Sequence, residues 1–284
     1  MNSEEMARLQ SWVGETQVQR QCVSLTSVMA LAATLDCEWM VAENGASAPP
    51  LAHWLCFVAH PGASELDEDG HPRRGGFLPP VLLPRRMWAA SEVAFHEPVC
   101  IGEELERVSR IDSVEFKPGR SGKLCFVTVS HEIRREGRLA IRERQQLVYR
   151  ERVSRSSASA RRAPEYTAQW TRLVKIDPVL LFRYSAITFN SHRIHYDRDY
   201  AVTREGYDGL VLQAPLAATL MVDALMKVKP QVHIAAFEFR ALRPVFDGAE
   251  ATVQGRLDDN CARIWILDQS GQIAVTATPN ITVN

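Results

Sequence analysis

Two turns of similar sequence lie 146 positions apart, and this spacing constrains the fold more than any other feature of the chain. Residues 95–102 (FHEPVCIG) and 239–248 (FRALRPVFDG) each end a strand-like run with Pro-Val and reach a glycine soon afterwards. The prolines of the two turns, and likewise the glycines, are 146 positions apart. Because the match falls at the same place in two similar orders of predicted elements, it indicates that one unit is duplicated.

The segments after each turn have the alternation and the β-branched content of strands. The predicted strands are residues 124–133 and 139–149 in the first half, and 251–257, 262–267 and 273–277 in the second. Residues 215–228 are apolar nearly all round, which predicts a buried helix. Residues 25–41 and 51–58 are the helical candidates of the first half. A buried helix wrapped by an antiparallel sheet, twice over, belongs to the α+β class.

Residues 152–164 (RVSRSSASARRAP) separate the two halves. They are rich in Ser, Ala and Arg and have no apolar period, which predicts a linker. Their arginines could bind phosphate, but a solvated linker face explains them better. The predicted units are therefore residues 1–151 and 165–284.

Charge and cysteine content narrow the class of protein. The formal net charge is −1, so no overall basic field would recruit nucleic acid or an anionic membrane. No apolar run approaches the roughly 20 residues of a membrane helix, and the N-terminus does not resemble a secretory signal. The six cysteines form no C-x-x-C pair and lie mostly in apolar runs, which predicts reduced core residues in a cytoplasmic protein.

The densest polar cluster, residues 188–200, lies shortly before the predicted buried helix. A loop that leads into a helix brings free backbone N–H groups close to side chains that can move protons. Acyl-thioester chemistry needs this combination, because the N–H groups stabilise an enolate oxygen while an imidazole handles water. A solvated surface loop is one alternative, and a metal site is another. The candidate metal ligands are His192, His195, Asp197 and Asp199.

Residues 184–197 (YSAITFNSHRIHYD) resemble the signature of the MaoC-like hydratases and dehydratases. The similarity is greatest to the branch of mitochondrial hydroxyacyl-thioester dehydratase type 2, mesaconyl-C4-CoA hydratase and itaconyl-CoA hydratase. Residues 80–89 (PVLLPRRMWA) and 146–151 (QLVYRE) resemble the same branch, so the resemblance covers nearly the whole chain. It implies a double hotdog, in which each unit wraps an antiparallel sheet around a long central helix. The N-terminal unit is expected to be degenerate and the C-terminal unit catalytic.

The resemblance also implies roles for individual residues. The general pattern is an Asp followed five positions later by a His, and this chain has Asn190 and His195 there. Since Asn cannot be a base, His195 is expected to transfer the protons while Asn190 holds the water. Asp197 is a candidate to orient a histidine. Where the family has His-Gly, this chain has Gln213 and Ala214, and the N–H of Ala214 is the expected oxyanion donor.

The implied activity is that of a hydro-lyase on an α,β-unsaturated or β-hydroxy acyl-CoA thioester. Arginine-rich surroundings favour a C5 dicarboxylic acyl group, such as itaconyl-CoA or mesaconyl-CoA. The expected substrate-binding residues are Tyr184, Arg183, Arg193, Gln213 and Arg86. The alternatives are a 3-hydroxyacyl-ACP or 3-hydroxyacyl-CoA dehydratase of fatty-acid metabolism, and a non-catalytic acyl-thioester binding protein.

Further expectations concern cofactors and partners. We expect neither a metal nor a redox cofactor. Coenzyme A is expected only as part of the substrate. The expected assembly is a homodimer without nucleic-acid or membrane partners. His53 and His60 are expected to be structural, since neither has an Asn or Asp at the matching spacing.

Overall fold

The computed structural model describes residues 3–119, 122–151 and 164–283. The α-helices in these ranges are α1 (Ser3–Gln10), α2 (Leu25–Leu35), α3 (Pro178–Ile187) and α4 (Ala214–Val228). The strands are β1 (Thr16–Cys22), β2 (Arg85–Phe95), β3 (Glu104–Gly119), β4 (Gly122–Arg135), β5 (Arg138–Arg150), β6 (Trp170–Lys175), β7 (Val232–Ala241), β8 (Glu250–Asp258), β9 (Cys261–Leu267) and β10 (Ile273–Val283). The five strands predicted from the sequence coincide with β4, β5, β8, β9 and β10.

These strands form one antiparallel sheet in the order β1-β3-β4-β5-β2-β7-β10-β9-β8-β6. Its two halves have the same internal order and meet where β2 pairs with β7. β3 and β8 begin at Glu104 and Glu250, which are 146 positions apart, and the ends of β2 and β7 have the same spacing. The predicted α+β class is confirmed. The unit boundaries stay predictions, because residues 152–163 of the predicted linker lie outside the described residues.

The two central helices differ in length and burial. α4 matches the predicted helix 215–228, begins one residue earlier and buries ten of its residues. α2 is shorter than predicted, because Asp36 adopts the left-handed conformation (φ 49°) and ends it. The candidate at residues 51–58 forms only a 3-10 turn at Ala52–Leu55. The long helix predicted for the first half was therefore wrong beyond Leu35.

One apolar core spans both halves and includes buried residues of α2 and α4. A smaller core packs α1 against β3, β4 and β5. Cys56 and Cys125 are buried as predicted, whereas Cys22 is exposed and the other three cysteines are half-buried. None of the described helices is long and apolar enough to cross a membrane.

Candidate active site

A cavity of about 1290 Å³ is lined by both halves of the chain. The first half contributes β2, β5 and part of the segment 54–78. The second half contributes α3, the loop after it and the first residues of α4. The polar cluster and the start of the buried helix therefore lie in one cavity wall.

The predicted catalytic residues lie on the loop that begins where α3 ends. Phe189 takes a positive φ of 47°, and the N–H of Asn190 donates to the carbonyl of Ser185 at 2.8 Å, so the helix stops. The chain then forms a 3-10 turn at Arg193–His195. The N–H of Val211 donates to this turn at 3.0 Å, which ties the loop to the segment before α4.

His195 is buried, with 7% of its surface exposed, and it lines the cavity. Its Nδ1 lies 2.7 Å from the carbonyl oxygen of Val211. Because a carbonyl oxygen only accepts, Nδ1 donates, and Nε2 of the neutral ring carries a lone pair. Burial lowers the pKa of His195 to about 4, which outweighs the opposing effect of the bond to Val211. The imidazole is neutral at neutral pH and can accept a proton.

Asn190 and His192 lie beside His195 in the cavity wall. The side-chain oxygen of Asn190 accepts a hydrogen bond from the backbone N–H of His192 at 3.1 Å, so the amide NH₂ is its remaining donor group. The rings of His192 and His195 meet edge to face, with centroids 5.2 Å apart. Burial, with a smaller contribution from His71, lowers the pKa of His192. The loop thus combines an amide donor with two neutral imidazoles.

Gln213 and Ala214 lie at the start of α4. Nε2 of Gln213 donates to the carbonyl of Leu181 and to Oγ of Ser185, both at 3.0 Å, which ties α3 to α4. Its Oε1 is buried and has no hydrogen-bond partner among the described residues. Ala214 lines the cavity as the first residue of the helix, where a backbone N–H has no intrahelical acceptor. An anionic oxygen at this position would also meet the positive end of the helix dipole.

The other predicted substrate-binding residues are not all brought together. Tyr184 is buried and lines the cavity, and burial raises the pKa of its phenol. Arg183 reaches α2 instead, with its Nη1 3.3 Å from the carbonyl of Ala33. Arg193 lies over the ring of Tyr200, 4.2 Å from its centroid. Neither arginine belongs to the described cavity wall, which does not agree with their predicted contact with substrate.

Asp197 has a different partner from the one predicted. Its Oδ2 accepts hydrogen bonds from Nε and Nη2 of Arg193 at 3.0 and 2.8 Å, and its Oδ1 accepts one from the N–H of Tyr200 at 3.0 Å. A separation of four residues brings Arg193 and Asp197 to the same side of a turn. Asp197 therefore braces the loop, and the predicted role in orienting a histidine does not agree with the structure.

Arginines of β2 and β5 make the cavity positive. Arg86 lines it, and its charge adds to the effect of burial in lowering the pKa of His71. Arg85 also lines it but is already bound to Glu205, with 2.8 Å between Nε and Oε2. The Nε of Arg150, another wall residue, is buried without a hydrogen-bond partner in the described ranges. Arg86 and Arg150 are the best-placed cations for an anionic ligand group.

Sequence reasoning missed a contribution from the first half. Oγ of Ser191 donates to the carbonyl of Gly70 at 2.5 Å, which brings a first-half loop onto the catalytic loop. His71 of this loop lines the cavity, and its ring centroid is 3.9 Å from that of His192. The only local signal was an Asp-Gly-His sequence at 69–71 in a segment rich in Gly and Pro. Such a segment has no periodicity, so nothing local predicts where it packs.

One group of described side chains has the composition of a metal site. Ligand atoms of Asp69, His71 and His192 lie within 4.8 Å of one another. Two imidazoles and a carboxylate suit a divalent transition metal. The Asp69 carboxylate already accepts two hydrogen bonds from His71, from its N–H at 2.8 Å and from its Nδ1 at 3.0 Å. We interpret these two residues as a carboxylate–imidazole pair, and the predicted absence of a metal stays a prediction.

Comparison with known proteins identifies the family. The family model described as hydroxyacyl-thioester dehydratase type 2 matches residues 51–247. The chain belongs to this family. It is 40% identical over 269 residues to the mesaconyl-C(4)-CoA hydratase of Chloroflexus aurantiacus, covering 94% of this chain and 96% of the relative. It is 29% identical over 228 residues to the mitochondrial hydroxyacyl-thioester dehydratase type 2 of Schizosaccharomyces pombe, covering 70% and 75% of the two chains.

Solved structures share the fold of this dehydratase family member at low sequence identity. A MaoC-like dehydratase superposes with a TM-score of 0.71 at 15% identity, covering 99% of this chain and 100% of that one. A MaoC-like dehydratase of Phytophthora capsici gives a TM-score of 0.68 at 13% identity, covering 98% and 99%. The predicted double hotdog is confirmed. Membership of the family also confirms the predicted enzyme class, a hydro-lyase acting on an acyl thioester.

Proposed function

We propose that the protein adds water to the double bond of an α,β-unsaturated acyl-CoA thioester with a second carboxylate, and removes water in the reverse reaction. Mesaconyl-C4-CoA is the proposed substrate, with itaconyl-CoA, also a C5 dicarboxylic thioester, as the alternative. The observation that carries the proposal is His195, a buried neutral imidazole in a cavity wall that also holds the start of α4. The 40% identity to the Chloroflexus relative, over nearly the full length of both chains, supports this acyl group.

In this proposal the thioester oxygen binds at the backbone N–H of Ala214, where the helix end stabilises the enolate. Nε2 of His195 takes a proton from water as the water oxygen bonds to the β-carbon. The π electrons of the double bond move onto the thioester oxygen. The α-carbon then takes a proton from water as the carbonyl re-forms, and the protonated His195 releases its proton to water. The amide NH₂ of Asn190 holds the water, and in dehydration His195 protonates the departing hydroxyl.

Arg86 is the proposed partner of the second carboxylate. It lines the same cavity as the histidines and lies close enough to His71 for its charge to affect the pKa of that residue. A guanidinium–carboxylate pair in a cavity is stronger than one on the surface, because less water screens it. Tyr184 and Gln213 shape the acyl end of the cavity between α3 and α4.

The test is a hydration assay with mesaconyl-C4-CoA, itaconyl-CoA, crotonyl-CoA and crotonyl-acyl carrier protein. We expect kcat/KM for a dicarboxylic thioester to exceed that for crotonyl-CoA by about 10²-fold, the value of one charge-assisted hydrogen-bonded pair. Arg86→Gln should remove this preference, whereas Arg110→Gln, at an exposed position of β3, should retain it. A wild type that prefers either crotonyl thioester would refute the dicarboxylic assignment.

A second candidate function is dehydration of 3-hydroxyacyl thioesters in fatty-acid metabolism. The match to the type 2 dehydratase family and the similarity to the fission-yeast mitochondrial enzyme favour it. It predicts preference for crotonyl-acyl carrier protein and longer chains in the same assay. Binding of all four thioesters without turnover would instead indicate a non-catalytic acyl-thioester binding protein.

The proposed reaction uses no metal and no redox cofactor, because side chains carry the proton transfers and coenzyme A arrives with the substrate. Activity should survive exhaustive dialysis against a chelator. Stoichiometric zinc or iron that is lost together with activity would contradict this. The homodimer and the cytoplasmic location stay predictions, which analytical ultracentrifugation and cell fractionation would check.

A further inference from the structure

A carboxylate–imidazole pair from the first half lies beside the histidines of the catalytic loop, and its imidazole lines the cavity. Nδ1 of His71 lies 3.0 Å from Oδ2 of Asp69, and both side chains are mostly buried. His71 lines the same cavity as His195, and the ring of His192 lies next to both. The cavity therefore holds two separate imidazoles with a hydrogen-bonded Nδ1, one from each half.

Contacts with the catalytic loop hold this pair in place. The N–H of Arg193 donates to the carbonyl of Asp69 at 2.9 Å, next to the bond that joins Ser191 to Gly70. Gly70 has a φ of +86°, and a Cβ there would lie 1.9 Å from the carbonyl oxygen of Ser191. Only glycine permits so close an approach. These backbone contacts thus fix the position of His71 relative to the catalytic loop that carries His195.

The protonation states follow from the hydrogen bonds. Burial alone would raise the pKa of Asp69, but the bond and charge of His71 lower it to about 2, so the carboxylate is ionised and accepts. Nδ1 of His71 therefore carries the hydrogen, and Nε2 of the neutral ring carries a lone pair. Burial and then the charge of Arg86 lower the pKa of His71 to about 4. His71 is a neutral imidazole whose cation Asp69 would stabilise.

Resting on the proposed function, we propose that His71, oriented by Asp69, is a second acid–base group that serves the α-carbon while His195 serves the hydroxyl at the β-carbon. The reaction moves protons at two adjacent carbons, and Asn190 cannot take part in either transfer. His71 of the first half supplies the second acid–base group that Asn190 cannot provide. Asp69 is a positioning residue in this scheme.

In dehydration, Nε2 of neutral His71 takes the α-proton, and the electrons of the C–H bond move onto the thioester oxygen as the enolate. The enolate then re-forms the carbonyl and the new double bond as the β-carbon–oxygen bond breaks. The departing hydroxide takes the proton that His195 had accepted at Nε2 from water before the reaction, and leaves as water. His195 is then neutral, and His71 returns its proton to water, so that both rings are neutral again. Hydration runs each transfer in reverse.

The experiment separates the two histidines by hydrogen exchange. The substrate is the hydroxyacyl-CoA that the wild type makes from mesaconyl-C4-CoA, or from crotonyl-CoA if it prefers that thioester. In D₂O, His195→Ala should exchange the α-hydrogen faster than it eliminates water, because His71 still forms the enolate. The double variant His195→Ala/His71→Gln should lose this exchange. Mass spectrometry of the recovered thioester measures the α-hydrogen exchange and the elimination of water in each variant.

Single variants make the test independent of that double variant. His71→Gln should lower kcat by about 10²–10⁴-fold with little change in KM. Asp69→Asn should lower it by about tenfold, the loss of one charge-assisted hydrogen bond. His96→Gln, at an exposed position, is the control. Equal exchange with and without His71, no exchange in His195→Ala, or wild-type kcat in His71→Gln would overturn the inference. A wild type that hydrates no thioester would instead refute the proposed function.

Discussion

His53 in the first unit and His195 in the second are both buried, with 5% and 7% of their surfaces exposed. Nε2 of His53 lies 3.1 Å from Oε2 of Glu143, whose carboxylate also accepts hydrogen bonds from Trp54 and Ser91. Burial alone would raise the pKa of Glu143, but the bond to His53 lowers it to about 2. These contacts hold His53 within the first unit, as its expected structural role requires, although its Nδ1 is buried without a partner among the described residues.

His195 differs because its hydrogen bond to the protein uses Nδ1 while its side chain lines the cavity. The duplicated scaffold therefore does not by itself decide where chemistry takes place. What decides it is whether a buried histidine lines the cavity shared by both units, as His195 and His71 do, whereas His53 does not belong to its described lining. The predictions below test this difference between His53 and His195.

The largest expected effect is on catalysis in the second unit. His195→Ala should lower kcat by about 10²–10⁴-fold, the usual contribution of a general acid–base group, with little change in KM. Steady-state kinetics on a thioester that the wild type hydrates measures this, and circular dichroism confirms folding. If the folded variant keeps near-wild-type kcat while His192→Ala is inactive, we have assigned the wrong histidine.

The matching change in the first unit should act on stability. His53→Ala leaves the Glu143 carboxylate buried without one of its hydrogen-bonding partners, which should lower the free energy of unfolding by about 1–3 kcal/mol. The kcat of the protein that remains folded should be nearly unchanged. Urea unfolding and kinetics on the same preparation give both values. A stable but inactive His53→Ala would show that the first unit takes part in the chemistry through His53.

His195 and the Glu143 carboxylate should also respond to different ranges of pH, and His71 of the first unit, with a pKa of about 4, responds in the same range as His195. The lowered pKa of His195, about 4 against an ordinary 6.5, means that the unfolded chain binds more protons between these values, so acid destabilises the fold there. The lowered pKa of Glu143 acts in the same direction, but from its ordinary 4.5 down to about 2. His195→Ala should therefore lose less stability than the wild type between pH 6.5 and 4, by up to about 3 kcal/mol. Parallel curves of unfolding free energy against pH would contradict this.

The smallest expected effect concerns the water-holding amide. Asn190→Ala should lower kcat by about tenfold, because it removes the hydrogen bond to water, and with it the bond from the N–H of His192, but leaves the base in place. Steady-state kinetics of Asn190→Ala and His195→Ala, measured side by side, shows which variant loses more kcat. A loss as large as that of His195→Ala would assign Asn190 a role beyond holding water.

Much of the fold was predictable because its signals are local. The 146-residue repeat, the strand alternation and the apolar helix at 215–228 depend on neighbours within a few turns, and the structure has the same elements. The end of α2 was not predicted, because Asp36, and not a glycine, takes the left-handed conformation that ends the helix. The resemblance at 184–197 pointed to the loop that lines the cavity, including Asn190 and His195.

By itself, then, the sequence determined the duplicated α+β fold and the segment that carries His195. Only the tertiary structure decided which side chains share the cavity. It brought Gly70 to Ser191, 121 positions away, so that His71 joined the site. The physical reason is that periodicity and capping act over a few residues, whereas contacts between loops depend on how the whole sheet brings distant segments together.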